Sequence, residues 1–315
     1  MLRTEKYLFK TAAADWLEHI RPGIKYSSLV RYTNIINAHL LPEFAEISIY
    51  EITRERVNCY HTHLLEGDQE HPGLAAGTIA TIFSVLRRIL QFSNEKREVS
   101  ISNLQPVIVR QQKKPLRVFS LSEQKQLNQY LCSHISLPNI GILLTLYTGL
   151  RIGELCALKW QDIILDEQIL YVHHTMQRVQ TFQEKPRTQV IITDPKSTSS
   201  IRYIPIPDFL IEMIQTICQD EACFLLTGDA KKYMEPRTVE NHFGRILRAC
   251  SIEHATFHTL RHTCATRCIE QGVDVKTLSE ILGHASVNIT MNRYVHPSME
   301  FKRENMNKLA GLFEG

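Results

Sequence analysis

Six side chains in the second half of the chain, Arg151, Lys196, His258, Arg261, His284 and Tyr294, form a set suited to attacking a phosphodiester. Two guanidiniums can pair as planar forks with phosphate oxygens. A lysine ammonium or an imidazole can move a proton, and a phenol can act as nucleophile where neighbouring cations favour the phenolate. No carboxylate cluster of the kind that holds divalent ions accompanies them in the sequence. The expected chemistry is DNA strand transfer through a covalent tyrosine ester, with no cofactor and no metal.

Each of the six sits at a junction or on a defined helix face. In Thr148-Gly149-Leu150-Arg151-Ile152-Gly153-Glu154, Gly149 can close one helix in the left-handed conformation and Arg151 opens the next, where the helix dipole adds positive charge. Glu154, three residues on, can hold the guanidinium in place. Lys196 is the one cation of Asp194 to Ser200, which reads as a hairpin loop joining two strands, and its ammonium suits protonation of a departing alkoxide. His258 and Arg261, three apart, share a helix face; His262 reads as pointing elsewhere, in a structural or secondary role. Asp274 to Leu282 is amphipathic and ends at Gly283, so that His284 follows directly, and Ser286 caps a short helix that delivers Tyr294.

The elements that must position these groups follow from periodicity. From Phe9 to about Asn94, apolar residues recur at helical spacing in four stretches, Ala13 to Ile20, Leu29 to Leu41, Ile52 to Leu65 and Ile79 to Phe92. Arg21-Pro22-Gly23 ends the first, Pro42 ends the second, and His71-Pro72-Gly73 lies in a loop before the fourth. Periodicity stops between Ser100 and Ser120, and Arg110 to Arg117 carries four cations and no anion: a solvated tether or a DNA-backbone contact. A helix opens at Leu121 with Ser122 as its cap. Beyond it, Asn139 to Tyr147 and Ile152 to Leu158 read as helices, and Ile163 to Leu165, Ile169 to His173, Val190 to Thr193 and Ile201 to Ile206 as strands of a small antiparallel sheet. Pro205 places the last at an edge or a strand end. Helices dominate again from Phe209. The expected class is mostly α with a small antiparallel sheet in an α+β second domain, after an all-α amino-terminal domain. The expected boundaries are 1–105 for the helical domain, 106–120 for a basic linker and 121–315 for the second domain with a carboxyl-terminal tail helix.

A length of 315 residues suits two domains, and 43% apolar with 22% charged residues suits an ordinary globular protein. The formal charge of +3 is too small to hold duplex DNA through bulk charge, so any such role depends on where the cations sit. The eight cysteines lack a Cys-x-x-Cys pair and read as buried thiols of a reducing cytosol. Cys264 and Cys268 lie close to His258 and His262, but one helix rarely wraps four ligands round a zinc ion, and the two cysteines read as core packing. Neither a signal peptide nor a long apolar run is present, so the expected location is cytoplasmic, with no membrane contact.

At Thr148 to Leu155, Pro195 to Ile206, His258 to Thr263, Leu282 to His284 and Tyr294 to His296, the chain resembles the tyrosine recombinases, the family that includes phage integrases. Asn37 to Pro42 and the helices around it resemble that family's core-binding domain, so the likeness covers nearly the whole chain. It implies that Arg151 and Arg261 clamp the phosphate and that Lys196 is the general acid. It further implies that His258 assists proton transfer, His284 hydrogen-bonds the phosphate, Tyr294 is the nucleophile, and Glu154 occupies the supporting acidic position. A 3′-phosphotyrosine and a free 5′-hydroxyl would result. The helical pattern begins almost at once, so the expectation is a chain without the arm-binding domain that many integrases of mobile elements carry.

The implied partner is a double-stranded DNA core site gripped by both domains. Lys25, Ser27, Arg31, Thr78, Arg87 and Arg88 are the amino-terminal candidates for contact, and Lys113, Lys114 and Arg117 the linker ones. Met299, Met306, Leu309, Leu312 and Phe313 give the tail an apolar set that could pack on its own domain or, as the family implies, on a neighbouring protomer in a synaptic homotetramer. Accessory DNA-bending or directionality factors could take part. The alternatives are a catalytically silent DNA-binding regulator, a type IB topoisomerase-like enzyme, and a metal-dependent nuclease, for which the clustered acids are missing.

Overall fold

A computed structural model describes residues 7–67, 72–97, 116–182, 186–195, 198–295, 303, 306 and 307. The chain divides into two compact units, Met1–Lys114 with Val179–Gln189, and Pro115–Arg178 with Val190–Gly315.

Among the described residues of the first unit the apolar periodicity becomes five α-helices: α1 Phe9–Ile20, α2 Tyr26–Ile35, α3 Leu41–Phe44, α4 Arg54–Glu66 and α5 Ala76–Arg97. Phe9, Trp16, Leu40, Phe44, Tyr60, Phe83 and Ile89 are among the side chains that close its core. Thr53 caps α4 through the Arg56 amide. Pro42 does not end a helix as the sequence suggests. A π-helical turn, Ile36–Leu40, follows α2 and runs without a break into α3, so Pro42 stands in a continuous helical path, directly after the widened turn that marks such an irregularity.

The second unit begins earlier than expected. Phe119 is fully buried, its amide donates to Thr263 Oγ1 at 3.0 Å, and its carbonyl accepts from Arg267 Nη2 at 2.6 Å. Its first helix, α6 Leu121–Ser133, is capped by Ser120 rather than Ser122, in a capping box with Glu123. Next come α7 Leu137–Thr148 and α8 Ile152–Ala157. Among the described residues, β1 Ile163–Ile164, β2 Ile169–Val172 and β5 Arg202–Pro205 make an antiparallel sheet in the order β1-β2-β5, with Tyr171 opposite Tyr203. Pro205 ends the edge strand, as its missing donor requires. Strands β3 Thr175–Gln180 and β4 Thr188–Thr193 pair separately. β3 was not foreseen, because Thr175-Met176-Gln177-Arg178-Val179-Gln180 carries too few apolar residues for a clear alternation. The loop carrying Lys196 therefore connects two sheets instead of closing a hairpin.

Helices α9 Asp208–Gln215, α10 Pro236–Ala249, α11 His258–Glu270, α12 Val275–Leu282 and α13 Val287–Tyr294 complete the unit among the described residues. α7 is apolar nearly all round and buried along its length, and α11 packs against it. Asp274 caps α12 and Ser286 caps α13. Of the cysteines, Cys156, Cys223 and Cys264 are buried, but Cys59, Cys132 and Cys218 are exposed, against the expectation of buried thiols throughout. No described helix is long and apolar enough to cross a membrane. The tail lies outside the described residues apart from Arg303, Met306 and Asn307, which are helical.

Gly149 ends α7 at φ 68° and ψ 25°, and a Cβ there would lie 2.5 Å from Leu282 Cδ2. An L residue in the left-handed region costs roughly 1–2 kcal/mol before any clash. Gly149→Ala is therefore expected to lower stability by at least about that much, read as a shift in the denaturation midpoint at unchanged slope.

Candidate active site

Two helix ends supply the foundation. α7 stops at Gly149 and α12 stops at Gly283, both left-handed, and each end leaves carbonyl oxygens without helical partners. Arg261, on the first turn of α11, donates through Nη1 to Gly149 O at 2.6 Å and through Nη2 to Leu282 O at 2.7 Å. Arg151, the residue before α8, donates through Nη2 to Gly283 O at 3.0 Å. The two guanidiniums thus hold consecutive carbonyls immediately before His284, as cations should at the negative ends of helices. Arg261 is 2% exposed, whereas 36% of the Arg151 side chain is open to solvent. Burial and then the Arg151 charge push the Arg261 guanidinium down to about 9, so it remains a cation at neutral pH.

Glu154 fixes the second fork. Its carboxylate accepts from the Arg151 amide at 2.9 Å and from Arg151 Nη1 at 2.7 Å. It also accepts from Arg202, at 2.9 Å through Nη2 and 3.2 Å through Nη1. Burial alone would raise the Glu154 carboxyl, but Arg202 first and then Arg151 outweigh it and hold the carboxyl below its ordinary value. Arg202 also donates to Ile281 O at 2.6 Å and to Ser200 O at 3.0 Å, which ties β5 to the end of α12. Sequence reasoning missed this arginine. The signal was its parity: along β5, Arg202 is in step with the buried Ile204 and opposite in phase to the exposed Tyr203.

Tyr294, at the end of α13, enters the same space. Its ring lies parallel to that of His284, at 4° and 6.4 Å between centroids. His284 Nδ1 meets Thr290 Oγ1 at 2.7 Å. Ala265, Leu278 and Leu282 form the apolar wall, with Cys268 packed against it and Cys264 buried nearby on the same helix, consistent with core packing of both thiols. Among the described residues no three His, Cys, Asp or Glu side chains are grouped to hold a metal ion. Burial raises the Tyr294 phenol above 10, opposed chiefly by the charges of Arg261 and Arg293.

His262 does not point away from the site as expected. Its Nδ1 lies 2.8 Å from the Tyr294 hydroxyl. The geometric reason is that residues four apart share a face as well as those three apart, so His258 has both Arg261 and His262 beside it. The His258 and His262 rings meet edge to face at 4.4 Å. His258 keeps much of its surface open to solvent, yet partial burial and then Arg261, Arg293 and Arg151 lower it to about 4. Burial leads the same effect at His284, to about 4, and at His262, to about 3.

Arg151, Glu154, His258, Arg261, His284 and Tyr294 are therefore brought together, and Lys196 lies outside the described residues. Of the linker candidates, Lys113 and Lys114 also lie outside them. Arg117 is no open tether cation, because it donates twice to Glu123, at 3.0 Å through Nη1 and more closely through Nη2, and to Val118 O. In the first unit, Lys25 precedes α2 with Ser27 in its first turn, and Thr78 is near the start of α5. Arg31 donates to Thr81 at 3.4 Å and Arg88 to the Tyr32 hydroxyl at 3.0 Å, which places them along the seam of α2 and α5, while Arg87 is exposed on α5.

The model of the phage integrase family matches residues 117–300, and that of the phage integrase N-terminal SAM-like domain matches residues 8–65. A tyrosine recombinase XerC-like protein of Caldanaerobacter subterraneus subsp. tengcongensis is 32% identical over 63% of this chain and 55% of its own. Transposase A from transposon Tn554 of Staphylococcus aureus is 30% identical over 64% and 54%. The chain thus spans about half the length of these relatives. The putative prophage phiRv2 integrase of Mycobacterium tuberculosis is 23% identical over 97% of this chain and 79% of its own. Among solved structures, the Tn1549 transposon integrase in complex with transposon right end DNA superposes with a TM-score of 0.80 at 20% identity, over 96% of this chain and 99% of that one. A lambda integrase tetramer bound to a Holliday junction gives 0.66 at 18%, over 94% and 80%. At these identities the structural likeness establishes the fold.

Two outcomes follow from the electrostatics. Arg202→Met leaves Glu154 buried with half its partners, and breaking such a pair should lower stability by about 3 kcal/mol in a denaturant titration. Adding Glu154→Gln should restore part of it. The three histidines titrate near 6.5 when unfolded and near 3 to 4 when folded, so between these limits the unfolded chain binds more protons. Their contribution is present above 6.5 and lost as pH falls toward 4. The melting temperature should therefore decline across that window, and the decline should be shallower in His284→Asn.

Proposed function

This chain belongs to the phage integrase family, and from that premise we propose that it is a site-specific DNA recombinase that cuts and rejoins duplex DNA through a 3′-phosphotyrosine, integrating or excising a mobile element. What carries the reading is the convergence of Arg151 and Arg261 on the carbonyls that precede His284, with the Tyr294 phenol inside the field of Arg261. Such a place is arranged for an anion that is attacked by a phenol.

The scissile phosphate sits between the two guanidiniums, which neutralise the charge that grows on its non-bridging oxygens. His284 adds a hydrogen bond to the same group. The Tyr294 oxygen forms a bond to phosphorus while the bond to the 5′-oxygen breaks, and Lys196 gives that oxygen a proton. Rejoining reverses the step with a different 5′-hydroxyl, and the ester conserves the bond energy, so no nucleotide cofactor is required. Glu154 keeps Arg151 oriented, and His258 assists proton movement at the open edge of the site.

Lys25, Ser27, Arg31, Thr78, Arg87, Arg88, Lys113 and Lys114 contact the phosphates of the core site. Arg117, engaged with Glu123, serves the start of the second unit instead. The tail docks on a neighbouring protomer in a tetramer assembled on DNA, in the cytoplasm, with room for accessory bending or directionality factors. Relatives bound to DNA, and the tetramer on a Holliday junction, support that assembly.

The test is a denaturation-resistant protein–DNA adduct formed on a nicked core-site duplex in excess chelator. The wild-type chain should give the adduct and strand exchange, and Tyr294→Phe should give neither while still binding the duplex. Relaxation without exchange, binding without adduct, or cutting that chelator abolishes would each replace the proposal with one of its rivals.

A further inference from the structure

We infer that His262 takes the proton of the Tyr294 hydroxyl during attack, through the 2.8 Å contact of its Nδ1 with the phenol oxygen. The inference rests on Tyr294 being the nucleophile and assigns the base that this reaction needs.

Tyr294 is 8% and His262 6% exposed, and a buried hydroxyl needs an acceptor for its hydrogen. Among the described residues, the acceptor in contact with that hydroxyl is His262 Nδ1. Arg261 acts on the same oxygen by charge and hydrogen bonding, and an arginine can only donate. The oxygen is therefore met by a donor, Arg261, and an acceptor, His262. The other two histidines are placed differently. His284 uses Nδ1 on Thr290 and lies parallel to the phenol, and His258 meets the His262 ring. The remaining neighbour, Arg293 Nη2, is 3.5 Å from His262 Nε2, too long to dictate the tautomer. The buried phenol assigns it instead: with Arg261 donating to the Tyr294 oxygen, the phenol hydrogen needs an acceptor, and an Nδ1 lone pair 2.8 Å away supplies it.

The titratable and charged groups facing His262 are His258 and Arg261 from its own helix, Arg293 from α13 and His284 from the turn after α12. With burial they keep the imidazole neutral, so its lone pair is open to the phenol proton at any physiological pH. A phosphodiester seated on Arg151 and Arg261 brings the negative charge that this cluster lacks, and it raises the proton affinity of His262 when the tyrosine must ionise. The proton moves from Tyr294 oxygen to Nδ1 as the oxygen bonds to phosphorus. A separate proton goes from Lys196 to the departing 5′-oxygen. In rejoining, the 5′-hydroxyl attacks phosphorus and gives its proton to the lysine, and the leaving tyrosine oxygen recovers its own from His262. No further reactant is needed.

Asparagine separates holding from proton transfer, because its Oδ1 can accept the phenol hydrogen bond but does not take up the proton. The probe is a nicked duplex selected from a random-core library by capture of the wild-type adduct, used with the full chain. His262→Asn should bind it normally and form adduct about a hundredfold more slowly or worse, the usual scale for loss of a general base. The deficit should shrink as pH rises and free tyrosinate becomes available. It should persist when sulfur replaces the bridging 5′-oxygen, a leaving group that needs no acid, whereas the deficit of Lys196→Ala should vanish. A rate within about threefold of wild type would overturn the inference, since loss of a base costs far more than that. Rescue by sulfur would also overturn it, by moving His262 to the leaving-group side. Failure of the wild-type chain to give any adduct would instead remove Tyr294 as nucleophile. Should His262→Asn not fold, the solvent deuterium isotope effect on the wild-type reaction with the sulfur substrate decides: an effect above unity leaves the tyrosine proton in flight, and unity overturns the inference.

Discussion

Everything at this site hangs on two guanidiniums clamped to the carbonyls of helix ends. Arg261 joins Gly149 O to Leu282 O, and Arg151 joins Gly283 O to Glu154, so the ends of α7 and α12 are held in register by cations rather than by apolar contact alone. The carbonyls are available because both helices stop in the left-handed conformation, which glycine adopts without strain. A longer helix at either end would withdraw an acceptor and leave a buried charge without a partner. The local backbone rule and the chemistry are therefore one constraint: where the chain can turn left is where the arginines can be held.

The same clamp explains how a chain with a formal charge of only +3 can concentrate positive potential. Arg151, Arg202 and Arg261 gather near one buried carboxylate, Glu154, with Arg293 beside His262, and the first three are otherwise held mainly by carbonyl dipoles. Dipoles orient a guanidinium without cancelling its charge. The residual field shows in the depressed proton affinities of His258, His262 and His284, all lowered by burial first, with Arg261 next at His258 and His284, and His258 ahead of Arg293 and Arg261 at His262. An anion is the missing member of this arrangement, and its arrival would relax all three imidazoles together.

Much of this was legible in the residues. Gly149, Gly283, Ser286 and the end of β5 at Pro205 were readable because each follows from one backbone preference acting locally. The cap at Ser120 was missed because Ser122 offers the same chemistry two positions on, and only the reciprocal bond with Glu123 separates them. Arg202 was missed although its parity puts it inside, since an inward arginine makes sense only beside Glu154, which lies 48 positions away in the chain. β3 lacks an apolar alternation of its own and depends on pairing with β4. Partnerships of this kind are set by tertiary packing and leave little trace in spacing.

His262 shows the limit of the helix-face argument most plainly. Spacing by three makes His258 and Arg261 neighbours, and it is tempting to draw the functional face as that one stripe. Side chains three and four apart both adjoin a given residue, however, and the sector from Arg261 to His262 spans about 100° of the helix surface. Whether that sector is back or front depends on what approaches it. Here α13 brings Tyr294 against its His262 side while the ends of α7 and α12 occupy its Arg261 side. One helix turn thus presents a fixed cation to the phosphate and a neutral acceptor to the phenol, the two complementary demands of a reversible exchange. A lone arginine would hold the phosphate but leave the phenol proton unassigned, and a lone histidine would take the proton but leave the developing charge unopposed. Set side by side on α11, they let cleavage and rejoining use the same groups in opposite order.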